Sequence, residues 1–110
     1  MALDVADLAA AIEFYEHLGL APVDRPGSLG ANGIWLGVGD AQLHLVERPD
    51  LDEVSSGSHV AFEVQDLEGT AAALRDLGIE VGDPFDIGAG LQAFLRDPSG
   101  NLVELNQPTG

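Results

Sequence analysis

Two hydrophobic periods follow one another along the first twenty positions. Leu3 and Val5 alternate with Ala2 and Asp4, the two-residue period of a half-buried strand. Leu8, Ile12, Tyr15 and Leu18 then recur three and four residues apart, the stripe of an amphipathic helix. Asp7 stands just before that stripe, where a carboxylate caps free helix N–H groups. Leu18-Gly19-Leu20 ends it, because glycine readily takes the left-handed C-cap conformation. The same succession returns later: Val60, Phe62 and Val64 alternate, Asp66 follows, Leu67, Ala71, Leu74 and Leu77 form a stripe, and Leu77-Gly78-Ile79 closes it. Further strands are expected over 20–24, 33–38 and 41–48, and again over 79–83, 90–96 and 101–107. Turn dipeptides separate them at Pro26-Gly27, Gly39-Asp40, Asp83-Pro84 and Ser99-Gly100.

Residues 1–22 lie on residues 60–81 without a gap at an offset of 59, matching Ala2 with Ala61, Asp7 with Asp66, Leu8 with Leu67 and Gly19 with Gly78. GVGDAQLHLV (37–46) then matches DPSGNLVELN (97–106) at an offset of 60, so the second hairpin carries one extra residue. The pattern is a tandem duplication of a βαβββ unit. The expected fold is α+β, two tandem βαβββ modules forming a cup-shaped mixed sheet with helices on its outer face. The modules span 1–47 and 59–110, joined by a linker at 48–58 that is rich in Asp, Ser, Pro and Gly.

Side chains alternate between the faces of a strand, so each predicted strand divides by parity. Leu43 and Leu45, Val60 and Phe62, Ala93 and Leu95, and Val103 and Leu105 make one apolar set that belongs under the helices. The opposite set holds His44, His59, Glu63, Gln92, Glu104 and Asn106, with Phe94, Val46 and Arg96 among them. Trp35, given the parity of Leu95, is expected in the core. A sheet covered on one side can turn a polar face to water. Phe94 and Val46 within the polar set fit a ligand cup instead. His44 and Glu104 also occupy equivalent places in the two repeats, and imidazole with carboxylate suits a divalent first-row metal. His17 at a helix end and the Asp97-Pro98-Ser99-Gly100 hairpin turn read as structural.

Composition narrows the partners. The 110 residues carry 19 acidic and 4 basic side chains, a net charge of −15, with no lysine and no cysteine. Phosphate binding needs clustered cations, so nucleic acid is an unsuitable partner. Disulfides, thiolate nucleophiles and cysteine–zinc sites are excluded. The apolar fraction of 45% is too high for a disordered acidic tail, and no apolar run approaches the ~20 residues that cross a bilayer. No secretory signal is visible, and the expected setting is cytoplasmic, without a membrane partner. The acidity also suits a well-solvated surface.

VADLAAAIEFYEHLGL (5–20), GIWLGVGDAQLHLVE (33–47), SHVAFEVQDLEG (58–69) and FLRDPSGNLVELNQP (94–108), in this order and at this spacing, resemble the vicinal oxygen chelate superfamily. That superfamily includes glyoxalase I, bleomycin resistance proteins, fosfomycin-resistance enzymes and extradiol dioxygenases. The resemblance implies paired βαβββ modules around a divalent cation (Zn, Ni, Mn, Fe or Co), or none in the metal-free binding members. It implies His44, His59 and Glu104 as metal ligands, with Glu104 also the base that moves a proton beside a carbonyl. Glu63, Gln92, Phe94, Arg96 and Asn106 are the candidate substrate contacts. The family's first-module histidine would stand immediately before Met1, so an in-frame histidine is expected directly upstream. The alternatives are a three-ligand site and loss of the metal. Three functions follow: a glyoxalase-like metal-dependent lyase or isomerase, a non-catalytic small-ligand binder of bleomycin-resistance type, and, less well matched, an extradiol dioxygenase. A homodimer is expected, because one open module is only half a cup.

Overall fold

The computed structural model describes residues 2–23, 33–39, 41–48 and 59–109. Ten elements follow in order: β1 (Ala2–Val5), α1 (Leu8–His17), β2 (Ala21–Val23), β3 (Gly33–Val38), β4 (Ala41–Glu47), β5 (His59–Glu63), α2 (Leu67–Asp76), β6 (Phe85–Asp86), β7 (Gly90–Arg96) and β8 (Leu102–Pro108). The fold is α+β and the order is βαβββ twice, as the repeat predicts. The chain divides into two compact units, Met1–Ser56 with Asp97–Asn101, and Gly57–Arg96 with Leu102–Gly110. Of the expected linker 48–58, residues 49–58 lie outside the described residues. Among the described residues no helix is long and apolar enough to cross a membrane.

Each unit holds a four-stranded mixed sheet. The orders are β1-β4-β3-β2 and β5-β8-β7-β6, with β1 parallel to β4, β5 parallel to β8, and the other neighbours antiparallel. Leu3, Val5, Leu36, Leu43 and Leu45 bury one face of the first sheet, and Ala11, Phe14 and Tyr15 are the buried residues of α1. In the second unit Val60, Phe62, Ala93, Leu95, Val103 and Leu105 are buried, as are Leu67, Ala71 and Leu74 of α2.

The helices begin in matching ways. Asp7 and Asp66 are the N-caps, their carboxylates accepting from the N–H groups of Ala10 and Gly69 at 3.1 Å each. A second acceptor reaches the first N–H of each helix from a strand: Glu47 Oε2 takes Leu8 N at 3.0 Å, and Gln107 Oε1 takes Leu67 N at 2.7 Å. Gly19 and Gly78 end the helices at φ of 94° and 84°, values that L side chains rarely adopt.

Three sequence expectations need correction. The strand expected at 79–83 is absent: Val81 makes only an isolated bridge to Leu95, and the pairing strand is Phe85–Asp86. Arg75 Nη2 donates to the Val81 carbonyl at 2.8 Å and to the Asp83 carboxylate at 3.0 Å, and Pro84 has no N–H to give a ladder. Leu77, expected on the buried stripe of α2, is 56% exposed because it is the C-cap residue rather than part of a helical turn. In α1 the buried stripe runs through Ala11 and Phe14 to Tyr15, while Leu8, Ile12 and Leu18 are only half-buried.

The turn after β7 does more than reverse the chain. The Asp97 carboxylate is buried and accepts from Tyr15 Oη at 2.7 Å, Asn101 Nδ2 at 2.9 Å, Asn101 N at 2.8 Å and Ser99 N at 2.9 Å. Asn101 Nδ2 also donates to Asp4 O, and Ala6 N donates to Ser99 Oγ. Every carboxylate oxygen thus has partners, which a buried charge requires. Burial first, then the charge of Asp97 and the hydrogen bond to it, push the Tyr15 phenol well above its ordinary range.

Candidate functional site

The register sorts the sequence-predicted site residues onto the sheet faces opposite the core. In the second unit they form rows across three strands. His59, Leu102 and Arg96 make one row, and Ala61, Glu104 and Phe94 the next. Glu63, Asn106 and Gln92 make the third, which Phe85 of β6 extends. Seven of the eight candidates, His59, Glu63, Gln92, Phe94, Arg96, Glu104 and Asn106, therefore share one face. Glu104, Asn106, Gln92 and Phe94 are half-buried there, while His59, Glu63 and Arg96 are exposed.

A chain of side-chain hydrogen bonds crosses this face. Gln92 Nε2 donates to Asn106 Oδ1 at 2.9 Å, and Asn106 Nδ2 donates to Glu104 Oε2 at 2.7 Å. The second distance is that of a bond to a charged acceptor. Phe94 pairs directly with Glu104, and its ring lies 6.1 Å from that of Phe85 at an interplanar angle of 27°. The carboxylate thus sits between an aromatic neighbour and an amide donor. Phe85 was not among the sequence candidates, since its strand was expected elsewhere.

The eighth candidate, His44, lies in the first unit. Ala2, His44, Trp35 and Val23 form its row, with Asp4, Val46 and Gly33 beside it and Gln42, Gly37 and Ala21 on the other side. The Trp35 indole stacks on the His44 imidazole with centroids 4.2 Å apart and planes within 9°. His44 Nε2 stands 3.4 Å from Gln42 Oε1. Trp35 is therefore on the open face, not in the core. Its equivalent across the repeat is Phe94, at the offset of 59 that holds until the hairpin, whereas the parity of Leu95 assumed the offset of 60 that holds only beyond it. Asp4 pairs with Arg48 at 3.0 Å, an exposed ion pair of small energetic weight.

Imidazole and carboxylate are the donors a divalent first-row cation takes. His59 and Glu104 fit it as a pair, since they share a face on adjacent strands two residues apart in register. Among the described residues no three His, Asp or Glu side chains gather as a metal centre. The geometry supplies an oriented carboxylate beside an imidazole in one unit, and a ring-stacked imidazole in the other.

The fold has known counterparts. A bleomycin-binding protein complexed with bleomycin superposes with a TM-score of 0.76 and 26% identity, covering 98% of this chain and 95% of that one. Among curated proteins, glyoxylase I 4 of Arabidopsis thaliana is 26% identical over 105 residues. CFP32 of Mycobacterium bovis, which carries the provisional name glyoxylase, is 35% identical over 108 residues. The matches take in 86% and 96% of this chain but 60% and 41% of those proteins, so the chain spans only part of their length. The family model of the glyoxalase/bleomycin resistance protein/dioxygenase superfamily matches residues 1–105. With nearly the whole chain inside that model and the duplicated βαβββ fold to go with it, the protein belongs to this superfamily.

Proposed function

We propose that the chain is a glyoxalase-type lyase or isomerase in which Glu104 moves a proton beside a carbonyl of a small oxygenated substrate. The observation that carries this reading is the Glu104 carboxylate, half-buried on the same face as His59 and oriented by Asn106. A base must be held within hydrogen-bond reach of the proton that it takes, and a fixed rotamer meets that need. Oε2 is engaged by Asn106, which leaves Oε1 to accept the proton. Phe94 and Phe85 give the substrate an apolar neighbour, while Arg96 offers the guanidinium that suits its oxygens. A divalent cation held by His59 and Glu104 would supply the Lewis acid that steadies charge developing on the substrate oxygen. The glyoxylase names of the curated relatives support this reading.

The experiment is proton exchange in D2O. The full chain, supplemented with Zn2+ or Ni2+, is incubated with a panel of small 2-hydroxy and 2-oxo carbonyl compounds. The C–H beside the carbonyl is followed by NMR. At least one member should exchange, and Glu104→Gln should slow that exchange by roughly 100- to 10,000-fold, the usual contribution of a general base. No exchange above background for any compound rejects the lyase reading.

A second reading has its own support. The Trp35–His44 stack and the charge of −15 suit a planar cationic ligand held without chemistry, and bleomycin is bound by a structure 26% identical to this chain. Trp35 is the sole tryptophan, so bleomycin binding should quench its fluorescence. Unchanged emission at millimolar bleomycin removes this reading. For either function the working unit we propose is a homodimer of two-module chains, with modules at 1–47 and 59–110. Light scattering checks it, with the dimer tightening as salt screens the repulsion between acidic chains.

A further inference from the structure

Asn106 and Gln92, expected as substrate contacts, also bond to one another, and Asn106 bonds to Glu104. Asn106 uses Oδ1 to accept from Gln92 and Nδ2 to donate to Glu104. An asparagine amide can rotate by half a turn and present its oxygen instead of its nitrogen. Here the Glu104 carboxylate opposes that rotation, because a flipped amide would set oxygen against carboxylate, and Gln92 in the orientation it adopts adds to this by setting N–H against N–H. The amide is thereby held as a donor toward Glu104.

The duplication provides an internal control. The row Gly33–Val46 in the first unit is equivalent to the row Gln92–Asn106 in the second, and both make the same antiparallel pairing. The sheet therefore forms at this place without polar side chains. The first unit carries His44 where the second carries Glu104, and there a tryptophan ring stacks on the imidazole, with the Gln42 amide 3.4 Å from its Nε2. At this row amides occur only in the unit with a carboxylate to orient; the amide of the first unit, Gln42, lies in the row on the other side of His44.

We infer that Asn106, locked by Gln92, is a positioning residue for Glu104: it holds Oε2 and reserves Oε1 for the transferred proton or the cation. The inference deepens the proposed function and rests on Glu104 being the working carboxylate. Gln92 acts one step further out, through Asn106, by fixing which end of the amide faces the carboxylate.

The test uses the full chain, labelled with 15N, and Zn2+ as the probe. In the wild type one side-chain Nδ2 proton of Asn106 should lie well downfield of its partner and exchange slowly. Glu104→Ala should remove that separation, and Gln92→Leu should reduce it. Zn2+ affinity, measured by calorimetry, should fall about 10- to 100-fold in Asn106→Leu, the usual cost of removing a group that orients a ligand, and by less in Gln92→Leu. Thermal melts of each variant separate this from general loss of folding. If the wild-type protons show the narrow separation of a free amide, or if Glu104→Ala weakens Zn2+ binding while folded Asn106→Leu does not, the inference is overturned. If Glu104→Ala itself leaves Zn2+ binding unchanged, the proposed cation-assisted function fails instead, and the amide protons alone decide the positioning role.

Discussion

The two units carry the same scaffold and put different chemistry on it. His44 and Glu104 occupy equivalent places, each with a small residue on one side (Ala2, Ala61) and an aromatic on the other (Trp35, Phe94). In the first unit the aromatic itself braces the functional group by stacking. In the second the brace is an amide in the neighbouring row. The helices differ too: Tyr15 and Leu74 are equivalent and both buried, but only Tyr15 sends a hydroxyl to the buried carboxylate of Asp97. After duplication the backbone register stayed constant while the side chains that hold the working groups diverged. One unit came to rely on polar and ring contacts at places where the other uses apolar packing.

The largest effect should come from breaking the polar cluster that the second unit lacks. Asp97→Ala leaves Tyr15 Oη and two backbone N–H groups without their acceptor. It should cost about 4 kcal/mol in urea melts, since each orphaned buried group carries its desolvation penalty. Tyr15→Phe removes one charge-assisted bond and should cost about 2 kcal/mol at neutral pH. The sign of the pH dependence follows from the raised phenol. Folding favours the protonated form, so its contribution is complete below the ordinary tyrosine value of 10.0 and is lost as pH rises beyond it. Wild-type stability should therefore decline above about pH 10, with Tyr15→Phe declining less steeply. Equal slopes would contradict the assignment.

A double-mutant cycle tests the two kinds of brace. Trp35→Leu with His44→Ala should show a coupling of about 1 kcal/mol, as aromatic pairs do. Phe94→Leu with Glu104→Ala should show almost none, because Asn106 is the partner of that carboxylate. The smallest effect belongs to the helix starts. Gln107→Glu should stabilise α2 by about 0.5 kcal/mol through the helix dipole, and Glu47→Gln should weaken α1 by a similar amount. Thermal melts at low salt resolve both.

Much of this arrangement is legible in the residues. Asp7 and Asp66 announce their helices, and alternation in 59–63, 92–96 and 102–106 sorts core from open face, which places His59, Glu104 and five further candidates together. Alternation fails where a single residue shifts the count. Trp35 is expected in the core when it is given the parity of Leu95, but its equivalent is Phe94, and one residue reverses every side chain. The strand at 85–86 was missed because a tertiary contact decides it: Arg75 occupies the Val81 carbonyl. Phe85 was lost with it. The bond between Tyr15 and Asp97 joins residues 82 apart, and no local pattern announces such a pairing. Glu47 and Gln107 at the helix starts did leave a signal, since they are equivalent across the repeat at the offset of 60.

The central claim is that His59 and Glu104 form the working side of a cation-assisted site. Elemental analysis tests it most directly, on full chain purified without chelator, equilibrated with Zn2+ and desalted, beside His59→Ala and Glu104→Ala treated identically. The account predicts stoichiometric zinc in the wild type and its loss in both folded variants. Equal zinc in all three proteins, or none in the wild type, would contradict it.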